Sequence, residues 1–260
     1  MAYIRSISRW EWLLILGIFI AISITEYIFT YEDVRIGIVM ALFTAIGIYL
    51  VISVKAPGVH VVDSAECLAL VPIYILITSS LPWFFLRQIY LLPAVYATIL
   101  GLCFYYVHKK DISFEELGFK KDRILKYALL GVLIGVPFGT IEYFIITPAP
   151  VFPAFTLGHL FRDFIYMLFF VALGEELLFR ALIQRNLSYA FGTKTGLVSA
   201  SFMFAVMHLT WRSVPELFFV FFGGMVLGYL YYKTGSLTAP ISVHAVGNTM
   251  LVGVLPYIFQ

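Results

Sequence analysis

Glu175 and Glu176 are adjacent carboxylates, and Arg180 follows four residues after the second. The run 164–173 before them carries no charge at all. A charge at the centre of a bilayer costs roughly 3 kcal/mol on insertion scales, so such groups persist only when paired, inward-facing or wet. On a helix, Glu176 and Arg180 share a face and can pair. Glu175 is rotated by about 100° from Glu176, so the same cation does not obviously neutralise it. One carboxylate is then structural and the other is left for chemistry. The competing reading is a buried ion cluster that only fixes helix packing.

Three further polar residues fall in apolar segments downstream. Phe204 and His208 are four apart, as are His244 and Asn248, so each pair lies on one helix face. Glu175 lies 17 residues before Gly192 and His208 lies 16 after it. If Gly192 turns a helical hairpin, equal arms bring the two to the same depth. A carboxylate and an imidazole at one depth can hold a water between them, and a desolvated carboxylate is a strong enough base to deprotonate it. His244 and Asn248 could then offer side-chain N–H groups to the oxyanion of a carbonyl under attack. The pieces of a hydrolase without a covalent nucleophile are present. A zinc set of Glu175, His208 and His244 is the alternative, although Asn248 suits a hydrogen-bond donor better than a ligand. There is no Gly-x-Ser-x-Gly elbow, His-Glu-x-x-His helix or Walker loop, and no basic stripe for nucleic acid.

The elements that position these groups must be membrane helices. The 260 residues are 62% hydrophobic and 12% charged, with a mean hydropathy of +0.96, too apolar for a soluble domain. The pattern predicts an all-α, polytopic membrane bundle of eight or nine spans, at 12–29, 34–54, 66–86, 88–107, 127–147, 159–190, 195–209, 215–232 and 238–258. Residues 1–107 hold no diagnostic motif, whereas 108–260 hold them all, within one membrane domain. Cys67 and Cys103 fall in apolar segments and read as core residues. Glu26 and Glu142 read as hydrogen-bonded or interfacial, and Arg162 with Asp163 as an interfacial pair. The basic residues Lys109, Lys110, Lys120, Lys121, Arg123 and Lys126 dominate one loop. Counting spans puts Arg5, Arg9, Lys55, Lys194 and Lys233 on the same side, so the N-terminus and basic loops are expected in the cytoplasm. A cavity among spans six to nine, open toward that basic side, is expected to lead to Glu175.

Taken together, Glu175-Glu176-x-x-x-Arg180, Phe204-x-x-x-His208 and His244-x-x-x-Asn248 resemble, in order, the three motifs of the CAAX prenyl protease type II and bacteriocin-processing family (CPBP or Abi, Ras-converting-enzyme-like). The segment 228–244 is similar to the family's approach to its third motif, and Glu115-Glu-Leu-Gly-Phe119 to its usual entry. The resemblance covers roughly 110–255. It implies a glutamate-type intramembrane endopeptidase acting on a membrane-associated peptide or prenylated protein, with no cofactor and no metal. The general base falls on Glu175, its partner in placing the water on His208, and the oxyanion pair on His244 and Asn248. Glu176, Arg180 and Phe204 become supporting residues. A non-catalytic immunity or scaffold protein and an intramembrane transporter are the rivals, and the chain shows no internal repeat of the kind many transporters carry.

Overall fold

The computed structural model describes residues 7–80, 88–120 and 123–259. Arg5, Lys121 and positions 81–86 of the third expected span lie outside the described residues. The described residues form helices and contain no strand. We number them α1 (Arg9–Tyr27), α2 (Val34–Lys55), α3 (Val59–Ser80), α4 (Gln88–Lys109), α5 (Ile124–Ile146), α6 (157–191), α7 (Thr193–Val206), α8 (Val214–Thr234) and α9 (Thr238–Thr249). Helical turns extend α9 to Tyr257. Among the described residues seven helices are long and apolar enough to cross a membrane, consistent with a bundle of about eight; the charged α6 is not among the seven. The protein is an integral, multi-pass membrane protein. The helix α7 is short: its 14 residues cover about 21 Å, against roughly 30 Å of hydrocarbon. A 3-10 turn, Leu209–Trp211, follows it.

Local chemistry sets the helix ends. Ser8 caps α1 and exchanges hydrogen bonds with Glu11, whose other oxygen accepts from the Gly58 N–H at 2.8 Å. Asp33, Thr156 and Ser213 cap α2, α6 and α8 through their side-chain oxygens. Gly192, with φ +88°, turns α6 into α7, as the hairpin expectation required. The third helix starts at Val59, seven residues before its expected start. The expected bounds leave Asp63 in a loop and Glu66 at the first position of the span. Lys110 meets both at 2.7 and 2.6 Å, and Lys109 reaches Glu66 at 3.3 Å. Those ion pairs let the polar first turns continue as helix.

The basic loops gather at one end of the bundle. Arg185 reaches Glu116 there, Leu237 N–H donates to Gly118 O, and Tyr231 Oη to Leu117 O. At the other end Arg212 donates to Thr30 O and the Phe152 N–H to Tyr257 Oη. The main core draws on both halves of the chain, from Ile22 and Leu68 to Leu182 and Met203, all fully enclosed. Cys67 and Cys103 are buried and free; Asn186 Nδ2 donates to Cys67 Sγ at 3.0 Å.

One contact matters directly for function. Gly131, Gly135 and Gly139, one turn apart on α5, lie against α9 at Ser242, Val243 and Gly247. A Cβ at Gly135 would sit 2.5 Å from Val243 O, and one at Gly139 would clash with Gly247 O. Small residues at this spacing let two membrane helices touch backbone to backbone. The contact fixes α9, which carries His244 and Asn248.

Candidate active site

The carboxylates sit in a distorted part of α6. A single α-turn, Leu173–Glu176, is flanked by π-helical turns Met167–Ala172 and Leu177–Gln184. Such widened turns recur at functional sites. Here they set Glu175 and Glu176 in different surroundings.

Glu176 is completely buried and faces two cations or potential cations. Its Oε2 lies 3.1 Å from Arg180 Nε, the pair expected from the four-residue spacing. Its Oε1 lies 2.8 Å from His244 Nδ1, a contact between the first and third motifs that the spacing alone did not specify. A carboxylate only accepts, so Nδ1 carries the hydrogen. Arg180 is 1% exposed, and its guanidinium lies 4.5 Å from the centre of the Phe204 ring. A desolvated cation over an aromatic face gains about 2 kcal/mol. Phe204 also meets the His208 ring at 4.6 Å and the His244 ring, edge-on, at 5.9 Å.

Glu175 points elsewhere, as the helix rotation required. Tyr96 Oη donates to its Oε1 at 2.7 Å. Its Oε2 is buried without a hydrogen-bond partner and lies 3.6 Å from His244 Nε2. His208 Nδ1 lies 2.8 Å from Phe204 O. A carbonyl only accepts, so Nδ1 carries a hydrogen, and in the neutral ring Nε2 keeps its lone pair.

Two cavities meet at His208. One, of about 220 Å³, holds Glu175, Tyr96, Tyr74 and Glu26. Glu175 and His208 thus share one chamber, as the equal-arm estimate anticipated. The other, of about 50 Å³, holds His244, Asn248 and Glu142 between α5 and α8. Glu142 interacts with the carboxyl of Glu216, a fully enclosed residue near the start of α8. The expected route to Glu175 needs correction. Its cavity is walled by α1, α3 and α4 as well as by α6, and it reaches Phe29, Thr78, Thr210 and Trp211 at the end opposite the basic loops. The packed Arg180, Phe179 and Phe204 cluster closes the basic side. On the other side α7 stops at Val206, and the short turn Leu209–Trp211 that follows it lines the chamber.

Sequence reasoning missed Tyr96, Glu216 and the placement of Glu26 on the chamber wall. A tyrosine in an apolar helix gives no signal by itself. Arg162 and Asp163 pair with each other at the end of the bundle that holds Phe152, as expected. The zinc alternative fits poorly: among the described residues no three His, Cys, Asp or Glu side chains converge on a position that could hold an ion.

Residues 156–250 match the family model of Rce1-like proteins, type II CAAX prenyl endopeptidase Rce1-like. This segment resembles Rce1-like proteins. It takes in Glu175, Glu176, Arg180, Phe204, His208, His244 and Asn248, and so all three motifs of the resemblance. It leaves out α1–α5, including Tyr96. Neither a curated protein nor a solved structure is matched.

Proposed function

We propose that the protein is a glutamate-type intramembrane endopeptidase. The observation that carries this is the divided environment of Glu175. One oxygen is held by Tyr96, the other makes no hydrogen bond and lies 3.6 Å from His244 Nε2, and the residue lines a chamber shared with His208. A water donating to Glu175 Oε2 and His208 Nε2 would be oriented for attack on a peptide carbonyl at the junction of the two cavities. Glu175 takes its proton as the water oxygen bonds to the carbonyl carbon. Asn248 Nδ2–H donates to the oxyanion from the second cavity. The C–N bond then breaks, and the leaving amine takes the proton from Glu175.

His244 has a conditional role in this scheme. With Nδ1 donating to Glu176, an Nε2–H exists only in the doubly protonated ring. In that form Glu175, Glu176, Arg180 and His244 sum to zero charge, and Nε2–H joins Asn248 as an oxyanion donor. Moving a proton from water to Glu175 raises that sum to +1, which the charge appearing on the carbonyl oxygen offsets.

The substrate class we propose first is a prenylated Cys-a-a-X peptide that loses its last three residues, on the strength of the family match. A second reading draws on the cavity. We place the basic loops in the cytoplasm, and the Glu175 chamber then reaches the opposite side. That favours a membrane peptide cut from the non-cytoplasmic face. Both substrates use one chemistry, carried by 108–260 on a framework of 1–107. The test is cleavage of a farnesylated Cys-a-a-X peptide and of an unprenylated transmembrane peptide by detergent-purified protein, with and without a chelator. Glu175→Gln is expected to abolish turnover and the chelator to leave it within twofold. Wild-type turnover by a folded Glu175→Gln protein would overturn the reading, and loss of turnover to the chelator would restore the zinc alternative.

A further inference from the structure

The catalytic motifs lie on α6, on α7 and the turn that follows it, and on α9, yet the hydrogen bond to Glu175 comes from α4. Tyr96 is separated from Glu175 by 79 residues and lies outside the segment that matches the family model. Its ring lies with Ile99 and Leu100 against Gly174, the residue just before Glu175, so α4 meets α6 at the turn that bears the carboxylates. A buried tyrosine hydroxyl needs a partner, and this one finds a carboxylate oxygen at 2.7 Å. A carboxylate has two equivalent oxygens and a rotatable side chain. Binding one of them fixes the rotation and decides which oxygen is left. Here the one left is Oε2, which borders His244 Nε2.

Building on the glutamate-base reading, we infer that Tyr96 is a positioning residue. It clamps Oε1 of Glu175 so that Oε2 alone takes the proton from water. The clamp is delivered by the first half of the chain, which makes α1–α4 part of the catalytic device and not only a scaffold. It acts without touching the peptide. The phenol keeps its proton throughout, so no atom or charge is exchanged.

Tyr96→Phe tests this, because it keeps the ring and its packing and removes only the donor. Its kcat on the farnesylated Cys-a-a-X peptide is expected to fall roughly ten- to a hundredfold, the worth of one hydrogen bond to a charged group. KM and the midpoint of thermal unfolding should stay at wild-type values. Tyr90→Phe, an exposed tyrosine on the same helix, should leave kcat unchanged. An infrared measurement reads the contact without any substrate. The carboxyl band that disappears in Glu175→Gln should be shifted in Tyr96→Phe. Glu175→Gln inactive with Tyr96→Phe at wild-type kcat would overturn the clamp and spare the glutamate base. Glu175→Gln active would overturn the base itself. If the wild type does not cut the peptide, an unshifted band overturns the clamp and a shifted one supports it.

Discussion

Oε1 of Glu176 and Nδ1 of His244 are 2.8 Å apart, although 68 residues separate them in the chain. The contact joins α6 to α9. It also determines which ring nitrogen of His244 remains for chemistry. Glu176 thereby serves two partners at once, Arg180 through one oxygen and His244 through the other.

Glu176→Gln should therefore damage both stability and activity. The amide keeps the size of the side chain but loses the charge that balances Arg180, a residue with 1% exposure and, among the described residues, no other carboxylate in ion-pair contact. Breaking a buried pair from one side costs about 3–5 kcal/mol. Thermal unfolding in detergent should show a clearly lower midpoint for Glu176→Gln and little change for Glu175→Gln. Equal midpoints for Glu176→Gln and wild type would mean that the ion pair does not stabilise the fold.

Much of this site was legible in the sequence because helices translate spacing into direction. The Glu176–Arg180 pair, the separate heading of Glu175 and its shared depth with His208 all follow from 3.6 residues per turn and one glycine turn. Contacts between helices distant in the chain were not legible. Nothing local ties Tyr96 to Glu175 or His244 to Glu176. The start of α3 was misplaced for the same reason, since the partner that neutralises Asp63 and Glu66 is Lys110, 47 and 44 residues further on. The direction of the Glu175 chamber was misjudged because α7 ends early and the Arg180 cluster packs solidly, and both are properties of the assembled bundle.

The α5–α9 contact predicts opposite signs for the same substitution at two places. Gly139→Ala places a Cβ against the Gly247 carbonyl, where neither backbone can yield without moving α9. Overpacking of this kind costs about 1–3 kcal/mol. Activity should fall with it, because α9 carries His244 and Asn248. Gly17→Ala meets open space on α1, and relief of a helical glycine should be neutral or gain up to about 1 kcal/mol. Unfolding midpoints of the two variants decide this; a tolerated Gly139→Ala would mean that α9 is not locked against α5.

Asn248 provides a cleaner probe of catalysis than His244, because it is half-buried on the cavity wall and is not tied into the Glu176 pair. Losing one oxyanion donor costs about 10²–10³ in kcat. Asn248→Ala should show that loss with KM and unfolding midpoint near wild type. Asn248→Gln, which keeps the amide but extends it by a methylene group, should recover little of it. A kcat unchanged in Asn248→Ala would remove Asn248 from the oxyanion site.

The route to Glu175 can be read by cysteine labelling in a background with Cys67 and Cys103 replaced. Both native thiols are fully buried, and removing them eliminates any background. Thr210→Cys sits at the far end of the chamber and Leu178→Cys on its inner wall. Lys109→Cys marks the basic end. A membrane-impermeant thiol reagent applied to intact cells should modify Thr210→Cys and, more slowly, Leu178→Cys, while Lys109→Cys should react only in inverted vesicles. The rates should differ because Leu178 is 3% exposed and the reagent must follow the water path past Trp211. Leu178→Cys reacting from the same face as Lys109→Cys would mean that the chamber opens through the basic end and that the Arg180 cluster does not seal it. Lys109→Cys reacting on intact cells, with Thr210→Cys and Leu178→Cys reacting only in inverted vesicles, would keep the cavity and invert the orientation. The chamber would then face the cytoplasm, where a prenylated substrate could reach Glu175 directly.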